Sequence, residues 1–89
     1  MEIKLEFCVV WNYTPRAVGT IEDILEIYGN KVTKIQLIPS GGGVFELHLN
    51  EKLLFSKKEL GRHSEDGEIL KLIEEEVDWT YRLIWPYLK

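Results

Sequence analysis

Apolar and polar residues alternate at the start of the chain in the pattern of a half-buried β-strand. Ile3, Leu5 and Phe7 alternate with charged residues over positions 2–9, which is the period of a strand with one buried face. Cys8 falls on the polar side of this alternation. We therefore expect a first strand over 2–9, with the Cys8 side chain pointing away from the buried face and toward the following loop.

A helix is predicted directly after this strand. Thr14 is expected to cap the free amides of the first turn, and Pro15 suits the first helical position because the N–H that it lacks would be unpaired there. The helix is expected to close at Gly29 and Asn30, which tolerate positive φ. Its apolar positions recur at helical spacing and are Ala17, Val18, Ile21, Ile24, Leu25 and Tyr28.

The middle of the chain predicts three further strands. Pro39 and the glycines at 41–43 interrupt the apolar pattern, and a tight turn over 50–52 joins the last two strands as a hairpin. A charged loop is predicted over 57–63. The three strands are expected over 31–38, 44–49 and 53–56.

A long helix is predicted for about residues 64–85. Ser64 is followed by acidic residues that suit a helix N-terminus, and Pro86 ends the helical pattern. Its expected buried stripe consists of Ile69, Leu70, Ile73, Val77, Tyr81 and Ile84. The resulting order, β-α-β-β-β-α, predicts an α/β (α+β) fold in the thioredoxin-like layout, with a four-stranded mixed sheet and two helices. In that layout the active site lies at the loop between the first strand and the first helix, where the amides of the helix N-terminus converge.

The composition is typical of a small globular protein with a single domain. The 89 residues suffice for one domain, 1–89, and 45% hydrophobic with 29% charged residues is typical of a globular protein. Apolar runs are too short to span a bilayer and no apolar leader follows Met1, so we expect a cytoplasmic protein without a membrane partner. The net charge of −4, with acids concentrated at 63–89, disfavours nucleic-acid binding.

The loop after the first strand begins at Cys8, the only cysteine in the chain. The positive end of the helix that begins near Pro15 would favour a thiolate, which could form a mixed disulfide with a low-molecular-weight thiol or a protein partner. The alternative is that Cys8 is a small buried hydrophobe. A single cysteine excludes an internal disulfide in either case.

A binding surface is predicted around this loop. Trp11 and Tyr13 are expected either to contact a partner or to plug the groove, and we favour a partly exposed Trp11. The glycines are expected to supply backbone geometry beside the Cys8 loop, since no Lys-Ser or Lys-Thr pair follows them to bind phosphate. The predicted binding residues are Trp11, Tyr13, Pro15, Gly41, Gly42, Gly43 and Val44.

No metal site and no cofactor are predicted. The candidate ligands are one cysteine, His48, His63 and scattered carboxylates, and no ligand spacing converges among them. Each histidine is expected to be solvated or hydrogen-bonded.

Several segments occur in the order of a known family pattern. They are Phe7-Cys8-x-x-Trp11-x-Tyr13-x-Pro15-Arg16-Ala17, then Ser40-Gly41-Gly42-Gly43-Val44-Phe45-Glu46, then the hairpin over 50–55 with Ser56-Lys57-Lys58, and Gly61-Arg62. Over about residues 3–77 the chain resembles the selenoprotein W-like members of the SelT/SelW/SelH (Rdx) family. This resemblance implies a thioredoxin-like fold and a thiol-based redox role, through a mixed disulfide with glutathione or a protein partner.

Two departures from the family pattern shape the functional hypotheses. Trp11 stands where the family has Cys or selenocysteine, so a two-electron cycle within the chain is excluded and the redox role carries over to Cys8 alone. The protein is therefore either a single-thiol redox protein or a redox-inactive interaction module that uses the thioredoxin-like groove. The second departure is the longer aromatic tail, where Trp79, Leu83 and Trp85 are expected to pack across the first helix or to form a homodimer.

Overall fold

The computed structural model describes residues 1–77. Four strands are present, β1 (Glu2–Cys8), β2 (Lys34–Ser40), β3 (Phe45–Leu49) and β4 (Lys52–Ser56). The helices are α1 (Thr14–Tyr28), a short α2 (Lys57–Leu60) and α3, which is helical from 68 through 77, and a 3₁₀ turn (Gly29–Lys31) follows α1. The predicted mixed fold is thus confirmed, with one additional short helix. Within the described part of the chain, no helix is long and apolar enough to cross a membrane.

The strands form one mixed sheet in the order β2-β1-β3-β4. β1 pairs with β2 in parallel from Glu2 opposite Lys34 to Cys8 opposite Ser40, and α1 makes the crossover between them. β1 and β3 pair antiparallel, as do β3 and β4. Since β1 is a central strand, the loop that follows Cys8 lies near the middle of the row of strand ends on that side of the sheet.

One face of the sheet carries the core, and it is the face that the alternation predicted. α1 and α3 supply the helical side of the core, α3 through buried Ile69 and Ile73. Leu70 and Val77 pack against the core and are only partly buried, while Tyr81 and Ile84 lie outside the described residues. So do the predicted end of the long helix and the aromatic tail with its proposed homodimer contact. The sheet contributes Ile3, Leu5, Phe7, Phe45, Leu47, Leu49 and Phe55.

Several predicted strand boundaries were wrong, and the third and fourth strands differ from the prediction by one residue at their starts. The second strand begins at Lys34 instead of residue 31, because 29–31 form the 3₁₀ turn. It also continues through Pro39 and Ser40, where a break was expected. β2 is an edge strand, and an edge position tolerates proline because no outer neighbour needs its missing N–H. The first strand ends at Cys8, one residue earlier than predicted.

The predicted helix starts also need correction. α1 begins at Thr14, one residue before the predicted first helical position at Pro15, and its N-cap is Tyr13 with no side-chain cap, so the predicted cap at Thr14 was wrong. The predicted charged loop contains α2, which the Ser56 hydroxyl caps by accepting from the Glu59 amide at 3.0 Å. The last helix begins at 68 and not at 64, because the Glu68 carboxylate accepts from the Glu65 amide at 2.9 Å and closes a turn before the helix.

Candidate functional site

Cys8 ends the central strand and is fully buried. Its exposed fraction is 0%, yet it is not a member of the core cluster, in keeping with its place on the polar side of the alternation. Its backbone amide donates to the Val44 carbonyl at 2.9 Å, and its carbonyl accepts from the Tyr13 amide at 3.0 Å. These bonds attach Cys8 both to the segment before β3 and to the start of α1.

The Cys8 sulfur lies inside a tight turn over residues 9–12. The Trp11 amide donates to Sγ at 3.4 Å, and the Asn12 amide donates to the Val9 carbonyl at 2.9 Å. Asn12 has φ +60°, a left-handed conformation that asparagine adopts more readily than most residues. The turn therefore places a backbone donor against the sulfur.

The Trp11 ring lies directly against Gly43. A Cβ at Gly43 would stand 2.4 Å from Trp11 Cζ3 and 2.7 Å from Cε3, and Gly43 has φ +71°, so only glycine fits both the contact and the backbone. The structure thus brings the glycine loop and the Cys8 loop together. The Trp11 side chain remains 59% exposed, which agrees with the prediction of a partly exposed Trp11.

Trp11 belongs to an aromatic cluster, which we define as Trp11, Tyr13 and His63. The Trp11 and Tyr13 rings meet edge to face with centres 6.2 Å apart, and Tyr13 meets His63 at 4.4 Å. Lys57 Nζ lies 5.8 Å from the Trp11 ring centre and 5.6 Å from that of Tyr13, within reach of a cation–π interaction. Sequence reasoning missed Lys57 and His63. Lys57 stands in the Ser-Lys-Lys segment, but no sequence signal pointed to His63.

The surroundings of His63 lower the pKa of its imidazole. Burial lowers its pKa, and the positive charges of Arg16 and then Lys57 lower it further. Its ring also faces Phe45 at 5.8 Å, and its Nδ1 is buried without a hydrogen-bond partner among residues 1–77. The expectation of a solvated or hydrogen-bonded ring was therefore wrong for this nitrogen, and equally for Nδ1 of His48.

The remaining predicted binding residues divide into two groups. Val44 is half-buried and supplies the carbonyl that holds Cys8. Pro15 is exposed in the first turn of α1, and Gly41 and Gly42 have open space where a side chain would stand. Contacts therefore join Cys8, Trp11, Tyr13, Gly43 and Val44 into one candidate site, whereas Pro15, Gly41 and Gly42 are exposed. Over residues 1–77, no group of three or more potential metal ligands converges.

Two carboxylates lie near this site on the face of the sheet opposite the core, and they were not among the predicted site residues. Glu6 and Glu46 are paired across β1 and β3. Ser40 Oγ donates to Glu6 at 2.7 Å, and Ser56 Oγ donates to Glu46 at 2.6 Å. These bonds place a row of four polar side chains across the sheet at the Cys8 end.

Two solved structures resemble the whole described fold. A protein of Bordetella parapertussis shares 23% identity and a TM-score of 0.78, covering 84% of this chain and 95% of that one. A selenoprotein W-related protein from Vibrio cholerae shares 20% identity and a TM-score of 0.79, covering 85% and 95%. No curated protein matches the chain significantly.

The family assignment rests on most of the length of the chain. The model of the Rdx family matches residues 2–75, a range that contains the Cys8 turn, the glycine loop and all four strands. The structural likeness to a selenoprotein W-related protein agrees with the thioredoxin-like fold expected from the element order. The chain belongs to the Rdx family.

Proposed function

We propose that the protein carries out thiol–disulfide exchange through the single thiol of Cys8. The observation that carries the proposal is the Trp11 amide 3.4 Å from Cys8 Sγ. It offers a hydrogen-bond donor to a thiolate at the strand end that precedes α1. Membership of a redox-related family supports the same reading.

The exchange requires an external thiol because Trp11 cannot supply a second sulfur. Cys8, as the thiolate, attacks one sulfur of a disulfide RSSR, forms the mixed disulfide with RS and releases RS⁻, which takes up a proton. A second external thiol then attacks the RS sulfur, leaves with it as a disulfide and returns Cys8 to the thiolate. Each step exchanges one S–S bond for another, and no further oxidant is consumed. We propose a cytoplasmic setting, where low-molecular-weight thiols remain reduced.

The burial of Cys8 limits the rate of thiol–disulfide exchange in this proposal. Cys8 is 0% exposed, so the turn over 9–12 must open before the sulfur meets a disulfide. The Trp11 ring against Gly43 and the bond from Asn12 to Val9 both hold the turn closed. Trp11 therefore controls access to the thiol, even though it cannot react itself.

Intact-protein mass spectrometry after exposure to oxidised glutathione tests the proposal. We expect one glutathione adduct on the folded protein, none on Cys8→Ser, and faster formation on Trp11→Ala because the turn loses its anchor. Chain unfolded in urea serves as the positive control for thiol reactivity. If the unfolded chain is fully modified while the folded protein stays unmodified, the thiol function is wrong.

A second candidate function is a redox-inactive interaction module. Cys8 is fully buried, whereas the residues that follow it in the turn are exposed: Val9, Val10 and Trp11 are 48%, 81% and 59% exposed. This contrast favours an interaction surface over thiol chemistry. Adjacent exposed apolar side chains are typical of contact surfaces. For a partner recovered by affinity capture, Trp11→Ala should abolish binding and Cys8→Ser should leave it intact. Loss of the partner with Cys8→Ser would instead favour the thiol function.

A further inference from the structure

The outer edge of β2 is unpaired within residues 1–77. β2 is an end strand in the sheet order β2-β1-β3-β4, and its strand partner in that range is β1. An unpaired edge presents a row of N–H and C=O groups to which another strand can add. At seven residues, β2 is as long as the central strand beside it.

The core face of the sheet ends in exposed apolar side chains at this edge. Leu37 is in register with Leu5, so both side chains lie on the core face, but Leu5 is fully buried whereas Leu37 is 43% exposed. Pro39 is exposed as well, although its partner in the register, Phe7, is buried. The apolar surface of the core therefore continues to the edge of β2 and is only partly covered there by residues 1–77.

One flank of α1 extends this apolar surface. Val18 and Leu25 are two turns apart on the same side of the helix and are 50% and 41% exposed. Arg16, Thr20 and Asp23 lie on the opposite side, where they line a cleft with the start of α3. An ion pair joins α3 to the start of β4, at the far end of the sheet order. The flank that carries Val18 and Leu25 is therefore on the β2 side of the molecule.

The backbone groups of this edge are complementary to those of a second copy. The Ser40 carbonyl accepts from the Val9 amide at 2.9 Å and so points into the sheet. Because backbone groups alternate in direction along a strand, those of Ile35, Leu37 and Pro39 point outward. In an antiparallel pair with a two-fold axis at Leu37, the two copies of Leu37 exchange both bonds, and the Ile35 amide donates to the carbonyl of the second Pro39. Both outward amides thus find an acceptor, and the position without an N–H is used as an acceptor alone.

Charges are complementary in the same register. It places Lys34 opposite Ser40 of the second copy, with the Cα atoms about 4.5 Å apart. Ser40 Oγ donates to Glu6 at 2.7 Å, so the Lys34 ammonium comes within reach of the Glu6 carboxylate of the second copy. The ion pairs within residues 1–77 involve neither Lys34 nor Glu6. The two-fold axis repeats the contact and gives two intermolecular ion pairs.

We propose that β2 pairs antiparallel with β2 of a second copy about Leu37, which joins two four-stranded sheets into one continuous sheet. This homodimer does not depend on the proposed thiol function. The paired strands are about 23 Å long and the sheet with its helical layer is about 20 Å deep, so the contact buries about 900 Å² in total, near the lower limit for a specific interface. We therefore expect reversible dimerisation in the micromolar range, and the pairing closes because it occupies this edge in both copies.

Charge reversal tests the pairing in sedimentation velocity. The wild type should change from monomer to dimer as its concentration rises through the micromolar range. Lys34→Glu and Glu6→Lys should each weaken the dimer about tenfold or more, because like charges then face each other at both contacts. An equimolar mixture of the two variants should recover the dimer, as should the double variant. Lys58→Glu is the matched control for net charge, since this exposed residue of α2 follows β4 at the opposite edge, and it should leave dimerisation unchanged.

Cysteine cross-linking tests the register. In a Cys8→Ser background, Leu37→Cys should form an intermolecular disulfide on mild oxidation, because the two-fold axis brings the two Cα atoms to about 5.5 Å. Lys34→Cys should form none, because the two copies of residue 34 lie at opposite ends of the paired strands, about 20 Å apart.

Two results would overturn the proposal. One is a monomer at every concentration, including a monomer whose Ile35 and Leu37 amides resist hydrogen exchange because another segment of the chain covers them. The other is a dimer that withstands both charge reversals and gives no cross-link through Leu37→Cys, since such a dimer uses a different surface.

Discussion

Replacing Gly43 with alanine tests whether the Trp11 contact holds the Cys8 turn. The new Cβ would stand 2.4 Å from Trp11 Cζ3, about 1 Å inside ordinary van der Waals contact, so the ring must move. An L-residue in the left-handed region adds a cost of about 1–2 kcal/mol. Gly43→Ala therefore combines backbone strain with the loss of the ring contact.

The ring contact can be given a magnitude. Trp11 is 59% exposed, and a fully buried aromatic side chain covers about 150–250 Å², so Trp11 buries about 60–100 Å², which contributes at most ~2.5 kcal/mol at ~25 cal/mol per Å². The Lys57 cation–π contact adds about 0.5–1 kcal/mol at an exposed site. Gly43→Ala should thus lower the free energy of unfolding by about 2–4 kcal/mol in total.

Gly42→Ala is a closely matched control. Gly42 also has positive φ, at +68°, but nothing lies within 4 Å of the Cβ that alanine would add. Gly42→Ala therefore loses stability only through backbone strain. Urea unfolding of both variants, repeated in a Trp11→Ala background, separates the two effects. We expect Gly43→Ala to be less stable than Gly42→Ala by about 1–2 kcal/mol, and the difference to vanish without Trp11. Equal stabilities in the presence of Trp11, or an excess that persists without it, would refute the reasoning.

Three further predictions concern polar contacts. Hydrogen bonds from Arg62 and a backbone amide lower the pKa of Glu68 to about 2. The carboxylate therefore stabilises the fold fully above its unfolded pKa of about 4.5 and loses this effect as pH falls through about 2. Glu68→Gln should lower the melting temperature at pH 7, and the difference from wild type should shrink steadily between about pH 4.5 and pH 2. The pKa of His63 is lowered by burial and then by two cations, so the unfolded state binds a proton at a higher pH than the folded state does. The melting temperature of the wild type should therefore fall as pH drops below about 6.5. The fall should be smaller in His63→Phe. Ser56→Ala removes both a helix cap and the donor to Glu46 and should cost about 1–3 kcal/mol in urea unfolding, whereas a loss below 0.5 kcal/mol would contradict that role.

Local sequence patterns determined the elements and their order. The alternation at Ile3, Leu5 and Phe7 fixed which face of the central strand is buried, since side chains on a strand alternate between two faces. Helical spacing likewise placed Ile69 and Ile73 in the core. The family pattern added the expectation that the glycine loop lies beside the Cys8 loop, and these two loops meet at Gly43 and Trp11.

Only the tertiary structure decided how the site is built. The burial of Cys8, the contact of Trp11 with Gly43 and the place of His63 between Tyr13 and Phe45 all join residues distant along the chain. Local periodicity carries no information on such contacts, because it reports only which face a residue occupies. The run of β2 through Pro39 was likewise settled by its place at the sheet edge. The sequence thus identified a segment with a single cysteine, and packing determined that Cys8 is buried and that the Trp11 ring lies against Gly43.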